Sequence, residues 1–243
     1  MKDIDIVIHL AAITDAPSTI NNKEETFKVN LEGTRNVLNE SVRANVKKFL
    51  FPSTTSVYGE AEGVVDENSP KEAYKPASPY AKSKLEAEKI VMNSFNESGL
   101  NTTVLRMGTI FGTSIGMRFH TAINKFCYLA ALNKPLTVWD SALNSKRPYL
   151  GLYDCIKAFA FLEKHGKPGQ LYNVVTNNFS IEHIIKIIKK FKPVQIEITK
   201  SPLLNQKPYE VSNQKIKNLG FKFKDRLEGG IKATLEYFKG IRN

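Results

Sequence analysis

A tyrosine and a lysine four residues apart, in Tyr80-Ala81-Lys82-Ser83-Lys84, are the first side chains whose types and spacing suit a reaction. On a helix, positions i and i+4 share a face, so the phenol and the ammonium would project into the same space. A cation beside a phenol favours the ionised form and draws its pKa toward neutrality. A tyrosine tuned in that way can exchange a proton with a substrate hydroxyl. The spacing alone also describes an ordinary exposed helix pair, so it needs company. Thr54 supplies it, 26 residues earlier, within Ser53-Thr54-Thr55-Ser56 at the exit of an apolar segment. In open α/β sheets, ligands bind beyond the carboxyl ends of the strands. A hydroxyl there can hold the substrate oxygen that Tyr80 titrates, although serine and threonine also populate plain strand exits.

These residues need elements to position them. Asp5–Ala12 is a short apolar run ending in small residues, which predicts a buried parallel strand. A helix pattern runs from about Glu24 to Ala44, with Phe27, Leu31, Thr34, Val37, Leu38 and Ser41 along one face. Val46–Phe51 predicts a second buried strand, and residues 60–77, with Gly63, Pro70 and Pro76 among charges, read as a loop. Ser78 is placed to cap a helix with Pro79 at its first position, and Gly99 is placed to end it. Asn101–Arg106 predicts a third strand, and strand-helix alternation at this spacing means a parallel sheet with crossover helices. Beyond Gly112 the expected elements are helices near 119–132, 154–165, 181–191 and 227–239, with strands near 136–139, 171–175 and 195–199. The fold class is therefore α/β. No glycine-serine linker separates the halves, which predicts one body with a cleft.

Composition removes several classes of function. With 42% hydrophobic and 24% charged residues, the 243-residue chain should bury a core, which excludes disorder and fibrous repeats. No apolar run approaches the roughly 20 residues of a membrane span, and Met1-Lys2-Asp3-Ile4-Asp5 does not read as a signal peptide. Two cysteines, Cys127 and Cys155, build no disulfide framework and suit a reducing cytoplasm. Four scattered histidines and no CxxC leave no metal site. The net charge of +11 includes a cluster at Lys186, Lys189, Lys190 and Lys192. No aromatic platform interleaves with these lysines in sequence, so a solvated helix face is favoured over nucleic acid. Trp139 and Cys127 read as core packing, and Asp66-Glu67 as a solvated pair in a loop.

Seven ordered motifs then carry a resemblance. They are His9-Leu-Ala-Ala12, Asn30-Leu-Glu-Gly33-Thr34-Arg-Asn36-Val37, Ser53–Gly59, Tyr80–Lys84, Leu105-Arg106…Phe111-Gly112, Arg147-Pro-Tyr…Tyr153-Asp154 and Tyr172-Asn173-Val174. Together they resemble the extended short-chain dehydrogenase/reductase family, in particular its nucleotide-sugar epimerases and dehydratases, over essentially the whole chain. The resemblance implies a Rossmann-like catalytic core at 1–115 and 145–168, and a smaller α/β substrate-binding region at 116–144 and 169–243. It implies NAD as cofactor, with NADP as the alternative form, a nucleotide-sugar substrate and a homodimer built on the helices near 24–44 and 79–98. Tyr80 would be the catalytic acid/base. Lys84 would bind the nicotinamide ribose and tune Tyr80, and Thr54 would hold the reacting hydroxyl. Ala11 and Ala12 would lie along the cofactor, Asn30 would support it, and Arg147 would contact the diphosphate, where guanidinium suits phosphate bidentately.

The chain departs from the family in one respect. Relatives open with a strand and a glycine-rich turn that seats the cofactor pyrophosphate. By comparison, this chain begins at what resembles the family's fourth strand, so roughly 60 residues of the cofactor half have no counterpart. Gly108, Gly112 and Gly116 follow a later strand at a spacing of four and four, and read as turn and substrate-loop glycines. A sheet starting there would present a raw edge that invites association. Three readings follow: a partial chain, a cofactor half supplied by another polypeptide, or a fold that no longer catalyses and survives as a binding relic. Within the family, dehydratases and decarboxylases usually carry a carboxylate just after the position of Thr54. Thr55 and Ser56 stand there, which favours epimerisation through a transient keto sugar. A reductase of small carbonyl substrates is the enzymatic alternative.

Overall fold

Phe49–Pro52 is a continuous apolar run, as expected of a strand covered on both faces, and every residue of Lys48–Thr54 is buried. In the computed structural model, which describes residues 3–59, 61–200 and 209–241, this segment is central to a parallel sheet. In chain order the elements are β1 (Ile6–Ile8), α1 (Lys23–Phe27), α2 (Gly33–Arg43), β2 (Lys48–Thr54), β3 (Gly63–Val65), α3 (Pro79–Ser98), β4 (Thr102–Met107) and β5 (Thr109–Phe111). There follow α4 (Ala122–Ala131), β6 (Leu136–Trp139), β7 (Lys146–Gly151), α5 (Leu152–His165), β8 (Gln170–Val174), β9 (Asn177–Ser180) and α6 (Ile181–Phe191). The last are β10 (Ile196–Thr199), β11 (Tyr209–Val211), α7 (Gln214–Asn218) and α8 (Leu227–Tyr237).

The main sheet has the order β1-β2-β4-β8 with every pair parallel. The pleat sends alternate residues of β2 to opposite faces. Phe49 and Phe51 pack with Leu38 of α2 and with Ala87 and Val91 of α3, while Leu50 packs with Ala158 and Leu162 of α5. Helices thus cover both faces, as the strand-helix alternation predicts, in the Rossmann-like arrangement that the family resemblance implies. A mixed sheet β5-β7-β9 lies beside a second core, in which Ile123, Phe126 and Cys127 of α4 meet Ile184 and Ile188 of α6 and Ile231 of α8. Burial pushes the Cys127 thiol up to about 12, in keeping with a packing role. No helix among the described residues is long and apolar enough to cross a membrane.

Three expectations need correction. The first strand is only Ile6–Ile8, and it is not buried: it pairs with β2 on one side only, and Ile6 and Ile8 are 40% and 44% exposed. The continuous helix expected at 24–44 is interrupted by a π turn at Lys28–Glu32. The loop read at 60–77 contains β3, which pairs with β11 more than 140 residues later, a partnership that periodicity cannot reveal. Of the remaining expectations, Met1, Lys2 and residues 201–208 lie outside the described residues.

Helix α3 follows its sequence signals closely. The Ser78 hydroxyl accepts the Ala81 amide hydrogen at 3.2 Å, Pro79 occupies the first turn, and Gly99 ends the helix at φ 74°. A side chain in that left-handed conformation costs about 1–2 kcal/mol. Gly99→Ala should therefore lower the unfolding free energy by that amount in a urea titration, and an unchanged midpoint would refute the capping account.

Candidate active site

The site forms where β2 ends against the start of α3. Thr54 closes the strand, and its hydroxyl accepts the Ser56 amide at 3.1 Å, capping a 3-10 turn at Thr55–Val57. Tyr80 sits in the first turn of α3, its amide donating to Thr19 Oγ1 at 3.3 Å and its carbonyl accepting from Ser83 Oγ at 2.8 Å. The structure brings Tyr80 near Thr54, whose hydroxyl favours the ionised phenol. Burial raises the Tyr80 pKa, while the Thr54 hydrogen bond and the charge of Arg118 oppose the rise. The direction is the reverse of the one the Tyr-Lys spacing predicts, because spacing along a helix carries no information about desolvation.

Lys84 lies one turn further along the same face, 4% exposed, with its ammonium 3.9 Å from the centroid of the Phe51 ring. Desolvation brings its pKa down to about 7, against the pull of Glu88. It has no hydrogen bond or ion pair among the described residues. A buried ammonium left with three unused donors fits a polyhydroxyl partner such as the ribose of a dinucleotide. His9 is its neighbour, and burial first, then the Lys84 charge, lowers the imidazole pKa. Thr34 gives its hydroxyl hydrogen to the Asn30 carbonyl at 2.6 Å, so the imidazole donates from Nε2 to Thr34 Oγ1 at 3.1 Å.

Asn30 clamps the loop that leaves β1. Its Oδ1 accepts the Ile13 amide at 2.7 Å, and its Nδ2 donates to the Ile13 carbonyl at 2.9 Å and to Ser83 Oγ at 3.0 Å. The π turn at Lys28–Glu32 carries this side chain, a local widening of the kind common at functional sites. Ala11 is exposed and Ala12 half-buried in the clamped loop, at the carboxyl end of β1. Arg147, on β7, lies with its guanidinium 5.0 Å from the Tyr209 ring, and burial lowers its pKa. A cavity of about 520 Å³ opens beside these elements, lined among others by Thr55, Ser56, Ser78, Ala81, His120, Lys125 and Tyr149; of the expected site residues Arg147 lines it, while Thr54, Tyr80 and Lys84 stand behind its wall. Trp139 lines it as well and is 39% exposed, which corrects the expectation of core packing.

Beneath the site runs a buried network whose role the sequence reading missed. Arg106 of β4 donates from Nη2 to Glu88 Oε2 at 2.6 Å and from Nε to both carboxylate oxygens at 3.0 and 3.1 Å. Its Nη1 donates to the hydroxyls of Tyr58 at 2.9 Å and Tyr74 at 3.0 Å, and the Ser53 hydroxyl donates to Glu88. Tyr80, Lys84 and Glu88 stand at i, i+4 and i+8, so an acid on the next turn of the Tyr80–Lys84 face was the available signal. Glu67 is also no solvated acid: it accepts the Asn173 amide at 2.7 Å, and burial raises its pKa.

A parallel sheet covered by helices, with a phenol, a hydroxyl and a buried ammonium at its carboxyl edge, defines a Rossmann-like protein of the short-chain dehydrogenase/reductase kind. The particular family follows from comparison with known sequences. Residues 1–175 match the model of the NAD dependent epimerase/dehydratase family, and the chain belongs to that family. It is 30% identical over 250 residues to mouse dTDP-D-glucose 4,6-dehydratase, covering 98% of this chain and 69% of that protein. Among solved structures it resembles UDP-glucose 4-epimerase from Thermotoga maritima with UDP-glucose, at 25% identity and a TM-score of 0.86, covering 96% of this chain and 77% of that one. It also resembles UDP-glucuronic acid 4-epimerase from Bacillus cereus with UDP-glucuronic acid and NAD, at 26% identity and 0.83, covering 97% and 76%.

Two measurements check this geometry. Breaking a buried ion pair by removing one partner costs about 3–5 kcal/mol, whereas replacing both partners with apolar residues is far milder. Arg106→Met should therefore destabilise the chain by that amount, and adding Glu88→Leu should recover most of it; an additive double variant would contradict the pairing. Because folding lowers the Lys84 pKa from 10.5 to about 7, the unfolded chain binds more protons between those values. Lys84 should make stability rise with pH across that window. Lys84→Met should flatten the rise in denaturation curves taken at successive pH, and an unchanged slope would show that the ammonium is not desolvated.

Proposed function

We propose that the chain catalyses epimerisation of a nucleotide sugar, with Tyr80 moving the proton of the reacting sugar hydroxyl. The observation that carries this reading is the lining of the cavity, in which hydroxyls and cations stand among apolar side chains with no carboxylate among the described lining residues. Dehydration of the sugar calls for a further proton donor or acceptor next to Thr54, and Thr55 and Ser56 occupy those places. The volume of about 520 Å³ suits a ligand well above the size of a small carbonyl compound. His120, Lys125 and Arg147 suit one carrying a diphosphate.

When bound, NAD supplies reversible hydride acceptance at the sugar carbon. Lys84 would hold its ribose, and Ala11 and Ala12 would flank it in the loop fastened by Asn30. Thr54 positions the sugar hydroxyl against Tyr80. The phenolate accepts the hydroxyl proton as the sugar becomes a ketone, and the phenol returns it when the opposite face is reduced. Positive charge from Arg118 favours the phenolate that the forward step needs. Arg147 binds the diphosphate, and the described parts of the regions 116–144 and 169–243 enclose the sugar. The relatives' names favour one competing reading, loss of water to give a 4-keto-6-deoxy sugar.

The test is turnover of UDP-glucose and dTDP-glucose with NAD, with products separated by chromatography. The expected product is the epimer. Loss of general acid-base catalysis costs roughly 10²–10⁴-fold, so Tyr80→Phe should lower kcat by that factor at nearly constant KM. Arg147→Ala should instead raise KM. A 4-keto-6-deoxy product, no turnover by the intact chain, or full activity in Tyr80→Phe would each overturn the reading.

A further inference from the structure

A second concavity, of about 860 Å³, lies between α6, α7 and the segment that enters α8, and shares no lining residue with the cavity at Arg147. Its wall gathers cations from four places in the sequence: Lys186 and Lys190 from α6, Lys217 from α7, Lys222 from the turn that follows, and Arg226 at the start of α8. The lysine run noted in the sequence is thus divided. Lys186 and Lys190 face the groove, whereas Lys192 donates to the Ala131 carbonyl at 3.1 Å on another side.

The two carboxylates in the wall offset only part of this charge, standing against five cations. Asp225 accepts the Asp154 amide at 2.8 Å, and Glu228 pairs with Lys190 at 3.0 Å. Among the described residues, Lys186, Lys217, Lys222 and Arg226 have no ion pair. Like charges converging on one concave surface raise the local potential and concentrate anions there. The groove also offers rings. Phe179 is half-buried and stacks on His183, with centroids 5.7 Å apart and planes at 14°, and Phe223 stands edge-on to Phe221 at 4.8 Å. Cations beside exposed ring faces are the pairing that recognises phosphate together with a base.

We propose that this groove is a second ligand site that takes a nucleoside diphosphate, the cations holding its phosphates and the Phe179–His183 stack receiving its base. It stands independently of the catalytic reading. The probes are ADP and inorganic pyrophosphate, titrated calorimetrically into the chain carrying Arg147→Ala, which weakens nucleotide binding in the catalytic cavity. ADP should bind saturably and more tightly than pyrophosphate. Reversing two exposed charges, Lys186→Glu with Lys222→Glu, should weaken it at least about tenfold. His183→Ala should weaken ADP and leave pyrophosphate unchanged. Absence of ADP binding at millimolar concentration, or binding that survives the double charge reversal, would overturn the site. Pyrophosphate binding as tight as ADP would overturn the nucleotide assignment. Far-ultraviolet circular dichroism of each variant confirms that a loss of binding is not a loss of fold.

Discussion

The ion pair between Glu88 and Arg106 holds α3 against the sheet, and the geometry of the site descends from it. Both side chains are nearly inaccessible, at 4% and 3% exposure. A charge taken that far out of water is tolerable only when its partner is met in good geometry. Arg106 is fixed on a central strand and surrounded by the Tyr58 and Tyr74 hydroxyls, so α3 can neither slide nor rotate without stranding Glu88. Lys84 and Tyr80 stand one and two turns back along that face. Ser53, which also donates to Glu88, is the residue before Thr54. One network therefore anchors both halves of the Thr54–Tyr80 pair.

A second fastening belongs to the loop after β1. Asn30 holds both backbone groups of Ile13 and reaches Ser83, so the loop, the π turn and α3 are tied through one amide. Around this frame the desolvation is uneven by design of the packing. Tyr80 is pushed toward its neutral form and Lys84 is drawn down to about 7, so proton-bearing groups of adjustable charge sit side by side. The cavity beside them is cationic toward Arg147 and hydroxyl-rich toward Thr55 and Ser56. Such a lining suits positioning a phosphorylated polyol and moving one proton.

Much of this was legible in the residues, and the rest was not for identifiable reasons. Helix α3 announced itself through Ser78, Pro79 and Gly99 because capping chemistry is local. The parallel sheet followed from the spacing of apolar runs. Strands such as β3, β7 and β11 escaped because they are short, polar in part, and stabilised by partners distant in sequence. The partial exposure of β1 depends on which strand has a neighbour on each side, which no single run of residues states. The tyrosine-lysine pair was visible as a spacing, but the sign of the tyrosine's shift depends on burial. Glu88 and Arg106, essential to the arrangement, are ordinary charges in sequence and become a pair only when β4 passes beneath α3.

The central claim is that the site moves one proton at one oxygen and returns the abstracted hydride to the same carbon, so that no carbon-bound hydrogen exchanges with solvent. Incubating a nucleotide hexose with the chain and NAD in deuterium oxide, then recording the mass and proton spectrum of the product, tests it directly. The account predicts an epimer of unchanged mass with no deuterium on carbon. A product lighter by one water, carrying deuterium at C5, would contradict it and assign the site to dehydration.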